Sequence, residues 1–239
     1  MNFLINTNKA IEAKVDCLIL PIFDDPKLRG ATKTINTANN KIISDFQKNK
    51  DIQGKIGQSR ILPIIGKTYK RLVLVGCGKY EKYSEKNYKK ALISALSKLS
   101  RTTHKSAISF LGTSDICGNK AGTEYRATKI LAEAWHQISY QYTTTKPSNE
   151  KKISLNKLYH GTNGNARSSE MKKGFNNGDA IGKAIKTVRL LADLPSNICT
   201  PTHLANEAKK IGRKHKAVSV KVLNESQMKK FGMNSLLSV

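Results

Sequence analysis

The sequence predicts an α/β protein, a parallel or mixed sheet covered by helices, followed by a second α/β domain that is incomplete. Three observations predict it. Short apolar runs alternate with stretches of helical spacing through the first two thirds of the chain. A rigid segment at 194–201, L-P-S-N-I-C-T-P, stands between two helical stretches. The residues beyond it are too few to build a sheet covered on both faces, and they close on the apolar L-L-S-V, where a domain ordinarily ends in polar, frayed residues.

Val15 to Phe23, V-D-C-L-I-L-P-I-F, is almost continuously apolar, the pattern of a buried strand. It ends at Asp24-Asp25-Pro26, where the acidic pair either faces a site or caps a turn. Ala31 to Gln47 carries Ile35, Ala38, Ile42, Ile43 and Phe46 at helical spacing and predicts one helix. Ser59 to Ile65 and Arg71 to Val75 are strands, with Gly66-Lys67 as a turn between them. The second runs straight into Gly76-Cys77-Gly78-Lys79. Ser84 can cap a helix whose apolar face is Tyr88, Ala91, Leu92, Ala95, Leu96 and Leu99. Ser106 to Leu111 is a strand, and Gly122 to Tyr142 is a long helix.

Ile153 to Tyr159 alternates imperfectly and predicts an edge strand; Gly161 to Ser169 reads as a loop or linker. Glu170 to Asp193 is a helix that Pro195 ends, because the residue before a proline is pushed out of the α region. Thr200 suits the cap of the next helix and Pro201 its first position, where no N–H bond is lost. Val218, Val220 and Val222 alternate as a strand. Glu225 to Phe231 is a short helix closed by Gly232, and Ser235 to Val239 starts a further strand. The expected division is a domain over 1–165, a connecting helix over 166–194 and the start of a second domain over 195–239.

The 42 lysines and arginines exceed the 17 acidic residues to give a net charge of +25. Such a field attracts polyanions, DNA included. The lysines are nevertheless scattered in doublets such as Lys89-Lys90, Lys172-Lys173 and Lys229-Lys230, as on a solvated surface. Cys17, Cys77, Cys117 and Cys199 are far apart and form no C-x-x-C, which argues against a zinc knuckle; each reads as a small reduced hydrophobe. There is no 18-residue apolar run and no signal-peptide pattern, so no membrane partner is expected and the cytoplasm is the expected location.

Gly76-x-Gly78 follows a strand as a dinucleotide-binding loop does, but Glu81 stands where the third glycine would be. His104, His136, His160, His203 and His215 form no H-E-x-x-H and read as exposed or partly buried side chains. There is no G-x-S-x-G.

Residues 180–212, A-I-G-K-A-I-K-T-V-R-L-L-A-D-L-P-S-N-I-C-T-P-T-H-L-A-N-E-A-K-K-I-G, resemble the interdomain segment of the leucyl aminopeptidases, the cytosol aminopeptidase family. Arg189, Pro195, Asn197, Thr200 and Pro201 match its arginine-bearing helix and its P-x-N-x-x-x-P turn. Leu72 to Lys79, Ile130 to Lys146 and Leu223 to Val239 resemble further stretches of the family in the same order. The resemblance implies a macro-domain-like N-terminal domain with a mixed sheet flanked by helices. It also implies a cytoplasmic hexamer acting on peptides, and a catalytic domain with two divalent metals, zinc or manganese, that activate water and polarise the scissile carbonyl. Some bacterial members are also associated with DNA. The family's first metal ligands lie in D-x-K-G-x-x-F-D-x-G-G, which this sequence lacks. No metal or catalytic residue is therefore expected here. The chain by itself is expected to bind no cofactor, to be inactive, and to aggregate or need a partner.

Overall fold

The structure is a computed structural model; it describes residues 1–65, 67–113, 123–146, 152–164 and 168–238. The chain divides into two compact units, Met1–Thr187 and Val188–Val239. In the first unit six strands form one sheet in the order β1-β6-β5-β2-β4-β3. The strands are β1 (Asn2–Asn6), β2 (Cys17–Ile22), β3 (Ser59–Pro63), β4 (Arg71–Gly76), β5 (Ser106–Ser109) and β6 (Lys157–Gly161). All neighbours are parallel except β3, which runs antiparallel to β4 with Ile61 opposite Val73.

The continuous apolar run of β2 is explained by its place: it pairs with β4 and β5, and all six of its residues are buried. Cys17 and Ile19 face one core with Val73, Val75, Ala107 and Leu158. That core is closed by α3 (Glu85–Leu99), α4 (Thr123–Ile138) and Phe175 of α5 (Ser168–Asp193). Leu18, Leu20 and Ile22 face the opposite core, closed by Ala31 and Ile35 of α1 (Gly30–Ala38) and Ile43 of α2 (Ile42–Lys48). Ser84 caps α3 by accepting from the amide of Asn87.

Four expectations are corrected. The helix expected over Ala31 to Gln47 is two helices, because Asn40 and Lys41 take positive φ (51° and 61°) and turn the chain. Asn36 Oδ1 then accepts from the amides of Ile43 and Ser44 at the start of α2. The edge strand expected over Ile153 to Tyr159 begins at Lys157 and lies inside the sheet; β1, unforeseen, is the edge beyond it. Val218 to Val222 form no strand. Val220 packs against α6 (Pro201–Lys214), where a Cβ on Gly212 would come 2.9 Å from its side chain. Ser235 lies in the helical turn α8 (Asn234–Leu237), which follows α7 (Glu225–Lys230). Among the described residues the second unit offers no partner strand, so an isolated β segment there would leave its ladder unpaired. Gly66, Cys117 and residues 165–167 lie outside the described residues.

Candidate functional site

The turn at Gly76-Cys77-Gly78 sits at the carboxyl end of β4, beside the end of β2. A dinucleotide-binding loop works by aiming free amides at phosphate. Here the amides are already used. Gly76 N donates to Gln58 O (2.7 Å), Cys77 N to Ile22 O (2.8 Å) and Gly78 N to Gly54 O (2.7 Å). The glycines allow this interlock: a Cβ on Gly76 would lie 2.0 Å from Lys55 O, one on Gly54 2.1 Å from Phe23 O, and Gly78 has φ +75°. The turn binds three loops to one another rather than presenting donors to a ligand.

Next to it, a cleft of about 480 Å³ is lined by Phe23, Asp24, Asp25, Ser44, Lys48 and Gln53, among others. Asp24 is exposed. Asp25 closes the turn: its Oδ1 accepts from Lys27 N and pairs with Arg29 at 2.9 Å. Partial burial works to raise the Asp25 carboxyl, but the hydrogen bonds and charges of Arg29 and Lys27 outweigh it and hold it below the usual range. Arg29 in turn lies 4.1 Å from the centre of the Tyr80 ring and 5.5 Å from that of Phe23. Asp25 therefore serves the turn.

In the second unit the proline-bounded segment forms one compact turn. Ile198 N and Cys199 N both donate to Pro195 O at 2.9 Å, and Thr200 N donates to Ile198 O at 3.0 Å. Thr200 Oγ1 accepts from His203 N at 3.2 Å, and Pro201 opens α6. Pro195, Asn197, Thr200 and Pro201 are thus brought together, with Asn197 exposed; Arg189 is exposed on α5, before the turn. The turn provides a fixed path.

Buried titratable groups lie elsewhere, where spacing in the sequence gave no sign of them. His136 and His160 are 7% and 1% exposed, against the expectation of exposed or partly buried histidines. His136 Nε2 meets Asp179 Oδ1 at 2.7 Å and ties α4 to α5. Burial lowers the His136 pKa more than the Asp179 bond raises it. His160 is pushed down to about 4 by burial alone. Asp16, the one polar side chain inside V-D-C-L-I-L, accepts from Lys105 N (2.8 Å) and Ser106 N (3.1 Å) and pairs with Lys70 (2.8 Å). Burial opposes these bonds, yet they win and hold its pKa at about 2. Its position just before β2 was the available signal: a carboxylate there reaches the amides that start β5. Burial pushes the Cys17 thiol up to about 12, which makes it inert as a nucleophile. Among the described residues no three His, Cys, Asp or Glu side chains come close enough to hold a metal ion.

Fold and turn together define an α/β chain of two units whose division falls inside one long helix. Residues 19–149 match the cytosol aminopeptidase family, N-terminal domain, and residues 186–239 match the catalytic domain of the same family. The chain belongs to the cytosol aminopeptidase family. It is 29% identical over 233 residues to a probable cytosol aminopeptidase of Haemophilus influenzae strain PittEE, covering 97% of this chain and 46% of that protein. A probable cytosol aminopeptidase of Nitrosococcus oceani is 29% identical over 245 residues, covering 100% and 48%. The chain therefore spans about half the length of the curated relatives it matches. Among solved structures, a variant of tomato leucine aminopeptidase superposes with a TM-score of 0.82 at 21% identity, over 96% of this chain and 46% of that one. The bottromycin maturation enzyme BotP superposes with 0.65 at 14% identity, over 91% and 41%. These likenesses establish the fold.

Proposed function

We propose that this chain is the non-catalytic N-terminal part of a leucyl aminopeptidase-type metallo-exopeptidase, which releases N-terminal amino acids from peptides. The observation that carries the reading is the ordered match of both family domains, with the turn at 194–201 just inside the second. In this reading 1–165 is the N-terminal domain, 166–194 the connecting helix and 195–239 the entry to the catalytic domain. Pro195 and Pro201 restrict the backbone between α5 and α6, so the catalytic part starts along a set path.

Two divalent metals, zinc or manganese, belong to the full enzyme in this reading. The residues described here do not fit such a centre, so no catalytic step is assigned to them. The pure 239-residue chain should not hydrolyse leucine p-nitroanilide when manganese or zinc is added. Metal-dependent turnover by that chain would overturn the assignment. The native gene product, taken from its source cells, should have a mass well above 26.4 kDa.

The same reading places the enzyme in the cytoplasm as a homo-oligomer, a hexamer by family likeness. No helix among the described residues is long and apolar enough to cross a membrane. A second reading, a basic module that holds DNA through its phosphates, is favoured by the net charge of +25. It requires retention of duplex DNA in a gel at low salt that is lost steeply as salt rises.

A further inference from the structure

We propose that the cleft between β3 and α3 binds a small phosphorylated anion, inorganic phosphate or a phosphate monoester. The cleft has a volume of about 390 Å³ and is lined by Arg60 of the edge strand, by Ser94, Ser97 and Lys98 of α3, and by Arg101 just past that helix. No carboxylate lines it. Arg60 Nη1 donates to Ser59 O at 3.1 Å, and Lys98 Nζ donates to the same oxygen at 2.7 Å. Two cations thus converge on one neutral carbonyl, with their nitrogens within about 6 Å of each other.

Several cations elsewhere are matched to carboxylates, as in Arg29–Asp25, Lys70–Asp16, Arg126–Glu85 and Lys129–Glu133, while Arg71 and Lys186 each donate to a neutral oxygen. Among the described residues, no ion pair involves Arg60, Lys98 or Arg101. Neutralising the negative end of α3 would account for Lys98 and Arg101. It does not account for Arg60, which comes from a strand.

The walls of the cleft are fixed before any ligand arrives. Ser94 Oγ can donate to Gly57 O (2.7 Å) or to Ser59 Oγ (2.9 Å), and the Lys98 bond adds a further tie between α3 and Ser59 of β3. Lys98 keeps two further N–H donors and each arginine a planar fork, the donor set that suits phosphate oxygens. The volume suits one phosphate with a small organic group rather than a length of nucleic acid.

The test is a calorimetric titration of the full chain with inorganic phosphate at constant ionic strength. Saturable binding at one site is expected. The double variant Arg60→Gln/Arg101→Gln should weaken it by about tenfold or more. The control Lys172→Gln/Lys173→Gln removes the same charge from exposed positions on α5 and should change it by less than about twofold. Far-UV circular dichroism and an unchanged melting temperature would establish that both variants fold. Non-saturating uptake, equal weakening by both double variants, or binding seen only with an oligonucleotide would each overturn the proposal in favour of a diffuse basic field.

Discussion

His160 is the side chain whose chemistry departs furthest from what its neighbours in sequence suggest. It lies in β6 with 1% exposure, and among the described residues its Nδ1 has no hydrogen-bond partner. Burial disfavours the imidazolium, so its pKa falls from 6.5 to about 4. The unfolded chain therefore takes up a proton below about pH 6.5 while the folded chain does not until about pH 4. The stability tied to the neutral ring is full above 6.5 and drains away as pH falls through that window, by about 3 kcal/mol in all. His136 and His104 are also shifted downward and act in the same direction. Urea unfolding followed from pH 7.5 to 4.5 should show this slope, and His160→Leu should flatten it. An unchanged slope in that variant would mean the ring is protonated in the fold. Glycine 76 carries a sharper steric demand. Gly76→Ala puts a methyl 2.0 Å from a backbone oxygen and should cost about 3 kcal/mol or more. Gly57→Ala, with open space but φ +80°, should cost only about 1–2 kcal/mol. Chemical denaturation of the two variants side by side reads the difference.

Elements were legible wherever the local pattern and the tertiary partner agree. The runs of β2 and β4 are apolar because both faces of the sheet are packed there, and the stripe of α3 is regular because one face meets one sheet. The break between α1 and α2 was hidden because Ile35, Ile42 and Ile43 keep helical spacing across it. Its cause is polar and local: Asn39-Asn40-Lys41 turns the chain, and Asn36 supplies an acceptor to two amides. Asn36→Ala should leave those amides short of a partner in a mostly buried place and lower stability by about 1–3 kcal/mol. Asn36→Asp, which keeps the acceptor, should restore part of the loss. The valines of 218–222 misled for the opposite reason. Alternation signals a strand only if another strand is there to receive its backbone, and that condition is not written in five residues. At the candidate site, the turn at 194–201 could be read directly because proline and threonine act on their own backbone. The interlock at Gly54, Gly76 and Gly78 could not, since it joins three loops distant in sequence.

The two units differ in how they are held. In Met1–Thr187 both faces of the sheet are packed, and Leu18, Ile19, Leu72, Leu74 and Ile108 are 0% exposed. In Val188–Val239 no described side chain is buried, and Val188, Leu204, Ile211, Phe231 and Leu236 are 47–65% exposed. A segment of this length gains little from burial when its apolar groups stay in water, while the entropy of ordering its backbone is undiminished. The caps at Thr200 and Asn224 satisfy helix ends but do not replace a core. Native-state hydrogen exchange on the 239-residue chain should therefore separate the units. Amides of β2, β4 and β5 should exchange only with global unfolding, and those of α6 and α7 should exchange faster by orders of magnitude. The same apolar groups should bind a hydrophobic dye and draw chains together as concentration rises. If α6 exchanges as slowly as β2 in a monomer that sediments as one sharp boundary, the second unit is stabilised by something other than burial of its own side chains. If α6 becomes protected only when further polypeptide of the catalytic domain is present, the apolar groups are the surface that domain covers.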